Sequence, residues 1–288
     1  MPDLPTDGLL LVDKPAGMTS HDVVALARRA LRVRRIGHHG TLDPFATGLL
    51  VLLVGRVTRL APFIAGEPKV YEARIRFGAE TDSDDLTGTV TREASVPARE
   101  EVLAALPSLT GTLEQLPPTV SAKQVGGERA HAAARAGRQL ELKPATVVVH
   151  GWEVHEARPD ELHATIRCGG GTYIRALARD LGRMIGSAAH LTSLRRIASG
   201  PFNVADAIPL EALRSGGDLL LRSPLDGLPD MARESLDAAG VAAVRHGRGV
   251  PATLPGDFGA LLNDEGGLLA VAERVDDSWQ PRVVLSAA

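Results

Sequence analysis

Residues 37–48 read Gly-His-His-Gly-Thr-Leu-Asp-Pro-Phe-Ala-Thr-Gly, and this stretch decides how the rest of the chain is interpreted. It contains a single carboxylate, Asp43, and lies between a basic segment and the apolar run 49–54. A loop that is shaped by glycine and proline and anchored by a buried strand commonly holds functional side chains. The alternative is a plain turn in which Asp43 only caps the backbone, and composition alone favours that alternative.

Several segments near this loop have the apolar patterns of strands. Residues 9–12 and 49–54 are continuous apolar runs, which are typical of strands buried on both faces. Residues 71–77 and 162–168 alternate apolar and polar side chains, which predicts half-buried strands.

Two helices are predicted between these strands. Thr19 or Ser20 can cap the first helix, whose apolar positions recur at helical spacing as far as Leu31. The second helix follows three consecutive glycines at 169–171. Because strands and helices follow one another without a regular β-α-β rhythm, we predict an α+β fold with a mixed, mainly antiparallel central sheet flanked by helices.

The formal net charge is −3, but basic side chains concentrate in residues 21–60, 123–143 and 175–196. Every fourth residue from Arg175 to Arg183 is an arginine, which predicts a basic stripe along the second helix. The three stretches could converge and neutralise nucleic-acid phosphates, or they could be ordinary solvated helix faces. Charge alone favours the second interpretation.

Composition excludes several classes of protein. The single cysteine, Cys168, excludes an internal disulfide and a cysteine-rich zinc site. The N-terminus lacks the basic start of a signal peptide, and the longest apolar run is too short to cross a bilayer. Residues 82–85 (Asp-Ser-Asp-Asp) fail the spacing of a calcium loop and are predicted to form an exposed acidic turn. We therefore expect a cytoplasmic protein with no membrane association and no metal site.

The last sixty residues or so differ from the rest of the chain. Residues 224–229 (PLDGLP) are expected to be a linker. Beyond them, short apolar runs are separated by turns in an acidic, glycine-rich context. This pattern predicts a small β-rich domain near the lower size limit for an independent core.

Five segments resemble, in order, the motifs of the TruB-type bacterial tRNA pseudouridine synthases. They are 11–20 (LVDKPAGMTS), 37–48 (GHHGTLDPFATG), 69–71 (KVY), 171–175 (GTYIR) and 194–196 (LRR). The resemblance implies a pseudouridine synthase catalytic domain at residues 1–228, with an RNA-gripping insertion around 119–146. Residues 231–288 are similar in position and pattern to the small PUA-like RNA-binding β-barrel.

The resemblance also implies the chemistry. The C1′–N1 glycosidic bond of a uridine breaks, the base rotates, and C5 joins C1′, which requires no redox step, metal or cofactor. One carboxylate assists the departure of uracil, either as a covalent nucleophile or through a glycal route, and that role falls to Asp43. Arg175 is expected to hold Asp43 in place and to favour its charged form.

The remaining site residues follow from the need to turn the target base out of the RNA stack. Tyr71 is implied as the platform for the flipped uracil and as a participant in removal of the C5 proton. His38 is expected to stack near the displaced nucleotide, and Leu194 to form an apolar wall beside the uracil. Tyr173 falls in a matched motif and is expected at the substrate site. Lys14 is expected mainly to support the loop, with a substrate phosphate as a further contact.

The RNA-gripping insertion departs from the family pattern. Residues 117–122 (PPTVSA) match the motif that precedes it. Gln124, however, stands where the resemblance implies lysine, and His131 where a tyrosine is common. The RNA grip of this segment is therefore less well specified than the chemistry.

The implied reaction converts uridine 55 in the T arm of tRNA, by a monomer that needs no guide RNA, cofactor or obligate protein partner. Two other interpretations stay open. A guide-RNA-dependent pseudouridine synthase would work within a ribonucleoprotein, although the chain lacks extended basic tails. A tRNA-folding chaperone would open the tRNA elbow, with modification incidental. A glycosidase is disfavoured because hydrolysis needs two matched carboxylates, and only Asp43 has a site-like context.

Overall fold

A computed structural model of the chain describes residues 7–118, 143–215 and 219–285, and the backbone of 124–125 and 128–129. The helices of these residues are α1 (Ser20–Leu31), α2 (Arg99–Ala105), α3 (Ile174–Met184), α4 (Leu210–Ser215) and α5 (Ala238–Arg245). Short 3-10 helices are Gly55–Leu60, Leu106–Leu109, Val204–Asp206 and Pro224–Gly227. The strands, in chain order, are β1 (Gly8–Lys14), β2 (Ile36–His39), β3 (Thr47–Val54), β4 (Lys69–Phe77), β5 (Ala79–Thr81), β6 (Val90–Glu93), β7 (Gly111–Gln115), β8 (Gln124–Val125), β9 (Glu128–Arg129), β10 (Ala145–Ala157), β11 (Glu161–Cys168), β12 (Ala189–Ser199), β13 (Phe202–Asn203), β14 (Ile208–Pro209), β15 (Ala232–Ser235), β16 (Val250–Pro251), β17 (Phe258–Leu262), β18 (Leu268–Val275) and β19 (Ser278–Val284).

A ten-stranded mixed sheet forms the centre of the fold. Its strand order is β14-β1-β3-β12-β4-β11-β10-β7, with β2 paired to β3 and β13 paired to β12. The pairs β1–β14 and β3–β12 are parallel. The other neighbours in this sheet are antiparallel. The prediction of a mixed, mainly antiparallel central sheet flanked by helices is confirmed.

The strands are buried as their sequence patterns predict. β3 lies between β1 and β12, and every residue after Thr47 in this strand is buried, in agreement with its continuous apolar run. In β4, every second side chain from Tyr71 to Phe77 enters the core beneath α3, while the polar side chains between them face outward. β4 and β12 therefore present one face to the core and leave their ends free to build a site.

Helix α1 begins with a capping box. The Thr19 hydroxyl accepts a hydrogen bond from the amide of Asp22, and the Asp22 carboxylate accepts one from the amide of Thr19 at 2.8 Å. The helix buries Val23 and Leu31 against the sheet and ends at Arg32, whose φ of 55° is left-handed. The predicted cap and helix are confirmed. None of the helices in the described ranges is long and apolar enough to cross a membrane.

A second sheet follows the first near the C-terminus. It has five strands in the order β15-β17-β18-β19-β16, and β15 and β17 are its parallel pair. Trp279 is fully buried at its centre, where its indole N–H donates to the carboxylate of Glu234 at 3.1 Å. The predicted β-rich C-terminal region is confirmed. The order of the described strands has two open edges, so the finer assignment as a PUA-like barrel, like the domain boundary at 228–231, stays a prediction.

The expected linker at 224–229 is partly packed against the rest of the chain. Residues Pro224–Gly227 form a 3-10 turn, and Leu228 is 1% exposed. The carbonyl of Gly227 accepts a hydrogen bond from the amide of Ala65 at 2.8 Å. The segment is therefore anchored at Gly227 and Leu228, while Asp226 and Pro229 are exposed, and its role as a linker between domains stays a prediction. Val271 and Leu285 of the C-terminal region share one apolar cluster with Leu9 and Leu49 of the central sheet.

Candidate active site

A cavity opens where the loop before β3 meets β4, β12 and the start of α3. Its lining residues are Thr41, Leu42, Asp43, Lys69, Tyr71, Gly171, Thr172, Tyr173, Ile174, Arg175 and Leu194. The antiparallel pairing of β4 with β12 sets Ala73 opposite Leu194, so Tyr71 and Leu194 stand at the same end of the two strands. The fold thus brings together residues that lie more than 150 positions apart in the chain.

Asp43 and Arg175 form a two-point ion pair in this cavity. The Arg175 Nε donates to Oδ2 of Asp43 at 2.9 Å, and Nη2 donates to Oδ1 at 3.0 Å. Such a fork-to-carboxylate pair fixes the plane of the carboxylate as well as its position. The Asp43 side chain is 33% exposed and that of Arg175 is 4% exposed. The carboxylate is therefore presented to the cavity from a buried support.

Asp85 holds the same guanidinium from behind. Its Oδ2 lies 3.5 Å from Nη1 of Arg175, which also donates to the carbonyl of Ser83 at 2.8 Å. Asp85 is 3% exposed, and its carboxylate accepts hydrogen bonds from Ser83 and Thr87. The prediction of an exposed acidic turn at 82–85 is wrong for Ser83, Asp84 and Asp85, because the arginines of α3 neutralise their charge and allow burial.

The arginines of α3 form a ladder of ion pairs rather than a solvated stripe. Arg179 donates to Asp84 at 2.9 Å, and Arg183 donates to Glu80 at 2.7 Å. Burial raises the pKa of the Asp84 carboxyl, and the nearby Arg179 opposes that shift. The expected spacing of four residues is present, but the stripe faces β5 and the turn that follows it. This ladder attaches α3 to the segment that supports Arg175.

The backbone of the Asp43 loop is clamped from two sides. The Ser20 hydroxyl donates to the carbonyl of Leu42 at 3.1 Å and accepts from its amide at 2.9 Å. Arg196 is fully buried and donates to the carbonyls of Gly40 at 3.0 Å and Leu49 at 2.8 Å. A charged donor shared among carbonyls that would otherwise be buried without partners stabilises one loop conformation.

Lys14 supports the same loop from beneath. Its side chain is fully buried, and the ammonium group donates to the carbonyls of Pro15 and Met18 at 2.9 Å and of Pro44 at 3.4 Å. Burial lowers the pKa of Lys14 to about 8, and the charge of Asp43 opposes that shift. Backbone carbonyls surround the ammonium group, and the expected phosphate contact at Lys14 stays a prediction. Its role in supporting the loop agrees with these contacts.

Tyr71 and Leu194 form the apolar wall of the cavity. Both side chains are nearly buried, at 7% and 6% exposure, and line the space beside Asp43. Burial raises the pKa of the Tyr71 phenol, so this group is neutral near neutral pH. A neutral ring with one open edge suits a planar, uncharged base.

His38 and Tyr173 occupy different positions relative to the cavity. Tyr173 lines it, and its backbone is fixed by Gln115, whose amide donates to the Tyr173 carbonyl at 3.0 Å. His38 lies in β2 next to the site but does not line the cavity. Burial lowers the pKa of His38, so the ring is neutral at neutral pH. Among the residues that the structure describes, its Nδ1 has no hydrogen-bond partner. Its contact with a displaced nucleotide stays a prediction.

Two further expectations concern the insertion and metal binding. His131 and the side chain of Gln124 lie outside the described residues, as does most of the insertion at 119–146. Within the described residues, no cluster of three or more histidine, cysteine or acidic side chains is arranged to hold a metal ion.

Sequence reasoning missed three supporting residues: Ser20, Asp85 and Arg196. The sequence predicts Ser20 only as a candidate helix cap, whereas its hydroxyl binds Leu42 of the Asp43 loop, 22 residues away. The sequence does contain a signal for Asp85. Residues 80–85 carry several acidic side chains, and three of them pair with the three arginines spaced four residues apart on α3. No local signal identifies Arg196 as fully buried, because its partners come from a strand that is not adjacent in sequence.

Comparison with solved structures identifies the fold. A crystal structure of a Cbf5-Nop10-Gar1 complex matches with a TM-score of 0.72 and 23% identity, over 100% of this chain and 90% of that chain. A structure of an H/ACA RNP bound to a substrate RNA containing 2′-deoxyuridine also gives 0.72, at 21% identity, over 97% and 85%. At these identities the likeness shows a shared fold and nothing further.

Sequence comparison then gives the family. The model of the TruB family pseudouridylate synthase (N terminal domain) matches residues 28–174, and that of the tRNA pseudouridylate synthase B C-terminal domain matches 175–218. The tRNA pseudouridine synthase B of Thermobifida fusca is 43% identical over 98% of this chain and 99% of its own length. That of Nocardia farcinica is 44% identical over 94% and 90%. The chain belongs to the TruB family of pseudouridine synthases.

Proposed function

We propose that the protein isomerises uridine 55 in the T arm of tRNA to pseudouridine, without a guide RNA. The observation that carries this proposal is the two-point pair of Asp43 with Arg175 at the edge of a cavity walled by Tyr71 and Leu194. Relatives named tRNA pseudouridine synthase B, which are 43–46% identical, support tRNA as the substrate. The proposed enzyme acts in the cytoplasm as a monomer, with no cofactor and no obligate protein partner.

The proposed mechanism assigns each group a step. The target uridine leaves the RNA stack and its uracil lies against Tyr71, with Leu194 at its edge. The Asp43 carboxylate then assists cleavage of the C1′–N1 bond, either by covalent attack or by a glycal route. After the base turns, C5 bonds to C1′, the C5 proton departs and N1 gains a proton. Tyr71, whose phenol is neutral, relays the C5 proton towards solvent.

Arg175 contributes by keeping Asp43 oriented throughout these steps. Its guanidinium is fixed on its far side by Asp85 and by the Ser83 carbonyl, so it does not need to reorganise when the base turns. His38 and Tyr173 are proposed to contact the displaced nucleotide, and the C-terminal sheet is proposed to be a PUA-like RNA-binding unit.

The decisive test is tritium release from C5-labelled uridine in unmodified tRNA transcript. Wild type should release about one equivalent per tRNA, and Asp43→Asn should release none while binding tRNA with similar affinity. A transcript with the same C5-labelled uridines but with cytidine at position 55 should release no tritium. Absence of release from wild type would sink the guide-independent proposal and favour a guide RNA or a chaperone role.

A further inference from the structure

A group of arginines at the end of α1 lies outside the site described above. Arg28, Arg29, Arg32 and Arg34 line a surface depression together with Val33. Arg29, Arg32 and Arg34 are exposed, and no carboxylate of the described residues lies within 4.0 Å of any of the three. These side chains therefore present positive charge that the described part of the protein does not neutralise.

The backbone conformation at Arg32 is unfavourable for an arginine. Arg32 ends α1 with a φ of 55°, a left-handed conformation that glycine adopts at little cost and arginine does not. The helix dipole accounts for basic residues in the last turn, such as Arg28 and Arg29. It also favours a cation at the C-cap residue Arg32, but it does not account for Arg34, which lies beyond the helix. Arginine at a left-handed position costs more conformational energy than glycine would, which suggests that the positive charge of Arg32 has a function.

Two elements, α1 and β2, connect the depression to the Asp43 loop. The N-terminus of α1 holds that loop through Ser20, and its twelve residues make the helix about 18 Å long. From the other end, β2 leads from the arginines straight back to the loop, with Arg28 bonded to the carbonyl of Ile36 at 2.9 Å. Over a length of about 18 Å a nucleic-acid duplex exposes several successive phosphates, which offer a dense row of negative charge.

We infer that Arg29, Arg32 and Arg34 bind the sugar-phosphate backbone of the tRNA substrate at a point remote from the reacting uridine. This inference rests on the proposed function. Guanidinium groups suit phosphate oxygens because they donate two parallel hydrogen bonds, and exposed arginines without partners lose no ion pair on binding. Contacts to phosphates position the RNA and carry no sequence information.

The test compares two variants with the same change in net charge. One is the triple variant Arg29→Gln, Arg32→Gln and Arg34→Gln. The control is Arg99→Gln, Arg158→Gln and Arg214→Gln, which removes exposed arginines that already pair with neighbouring glutamates. The dissociation constant for unmodified tRNA is measured over a range of salt concentrations, and tritium release is measured at saturating tRNA.

The first triple variant should bind tRNA on the order of tenfold more weakly than the control at low salt. Its plot of log affinity against log salt should be shallower by about 0.9 for each phosphate that the variant no longer neutralises. Its rate at saturating tRNA should match that of wild type, because the cavity is unchanged. Equal affinity and equal salt slope in the two triple variants would overturn the inference. A wild type that releases no tritium would instead contradict the proposed function.

A second variant separates binding from folding. Arg32→Gly removes the charge and relieves the left-handed backbone, so its melting temperature should equal or exceed that of wild type. It should nevertheless bind tRNA more weakly, with a shallower salt slope. Unchanged affinity in a fully folded Arg32→Gly protein would count against the assignment of Arg32.

Discussion

Gly48 lies opposite Arg196 in the parallel pairing of β3 with β12, and a side chain at Gly48 would overlap the Arg196 backbone. Gly48 also has a φ of +98°, which L-residues rarely adopt. The close approach allows the Arg196 side chain to reach back to Gly40 and Leu49. The last glycine of the loop is thus a condition for the position of Asp43.

Replacing Gly48 with alanine should therefore be costly. Gly48→Ala adds steric overlap with the β12 backbone to the cost of a positive φ, about 3 kcal/mol in total. The control is Gly186→Ala, where φ is +71° and no atom lies within 4 Å of an added Cβ, so only about 1 kcal/mol should be lost. Urea unfolding measures the free energy of unfolding of both variants. An equal loss in the two would contradict a steric overlap between an added Cβ at Gly48 and the β12 backbone.

Removing Arg175 and removing Asp43 should have different effects on stability. Arg175→Gln leaves Asp85 buried with a charge that is no longer paired, which costs about 3–5 kcal/mol. Asp43→Asn keeps a hydrogen-bond acceptor at a side chain that is one-third exposed, and should cost about 1 kcal/mol or less. Both variants should lose tritium release. Denaturant midpoints within experimental error of each other would show that Asp85 does not depend on Arg175.

Tyr71→Phe should separate the platform from the proton relay. The substitution keeps the ring and its buried contacts, so tRNA affinity and unfolding free energy should change little. Release of the C5 proton should slow by about 10²-fold or more if the phenol takes part. The comparison variant is Tyr71→Leu, which also removes the flat aromatic face. It should slow proton release further than Tyr71→Phe does. If Tyr71→Phe releases the C5 proton at the wild-type rate, Tyr71 acts only as the platform for the uracil.

Cys168 provides a test of linkage between pH and stability. Burial raises the pKa of this thiol from 9.0 to about 11. Between pH 9 and 11 the unfolded chain loses the thiol proton while the folded chain keeps it, so the unfolded state binds fewer protons. The thiol's contribution to the unfolding free energy is therefore complete below pH 9 and falls by about 3 kcal/mol up to pH 11.

The measurement compares wild type with Cys168→Ala by urea unfolding at pH 7, 9 and 10.5. The difference between the two proteins should be constant up to pH 9 and should then shift in favour of the alanine variant. Other titrating groups act equally in both proteins and cancel in the comparison. A difference that stays constant over the whole range would mean that the buried thiol ionises as readily as an exposed one.

Much of this fold could be predicted from local patterns. Alternation from Tyr71 to Phe77 and the apolar run in β3 predicted both strands because burial imposes those periods directly. Thr19 was predictable as a cap since its partner lies three residues away. The neighbours of Asp43 could be proposed only through resemblance to a family, because their motifs meet across strands that are far apart in sequence.

The errors have a common physical origin. Asp84 and Asp85 are wrongly predicted to be exposed because isolated charges are seldom buried, and the sequence shows no sign of the full burial of Lys14 either. Each is buried because groups from elsewhere in the chain satisfy it: backbone carbonyls for Lys14, and Arg179 and Arg175 for the two aspartates. Such compensation depends on tertiary contacts and leaves no signature in composition or periodicity.

The apolar cluster that joins the C-terminal sheet to β1 and β3 has a mechanical consequence. Leu49 lies near the start of β3, the strand that follows the Asp43 loop, and it shares that cluster with Val271 and Leu285. Because neither surface is covered without the other, we expect both sheets to melt in one cooperative transition. Cutting the chain after residue 228 should then yield a protein that aggregates rather than a smaller enzyme.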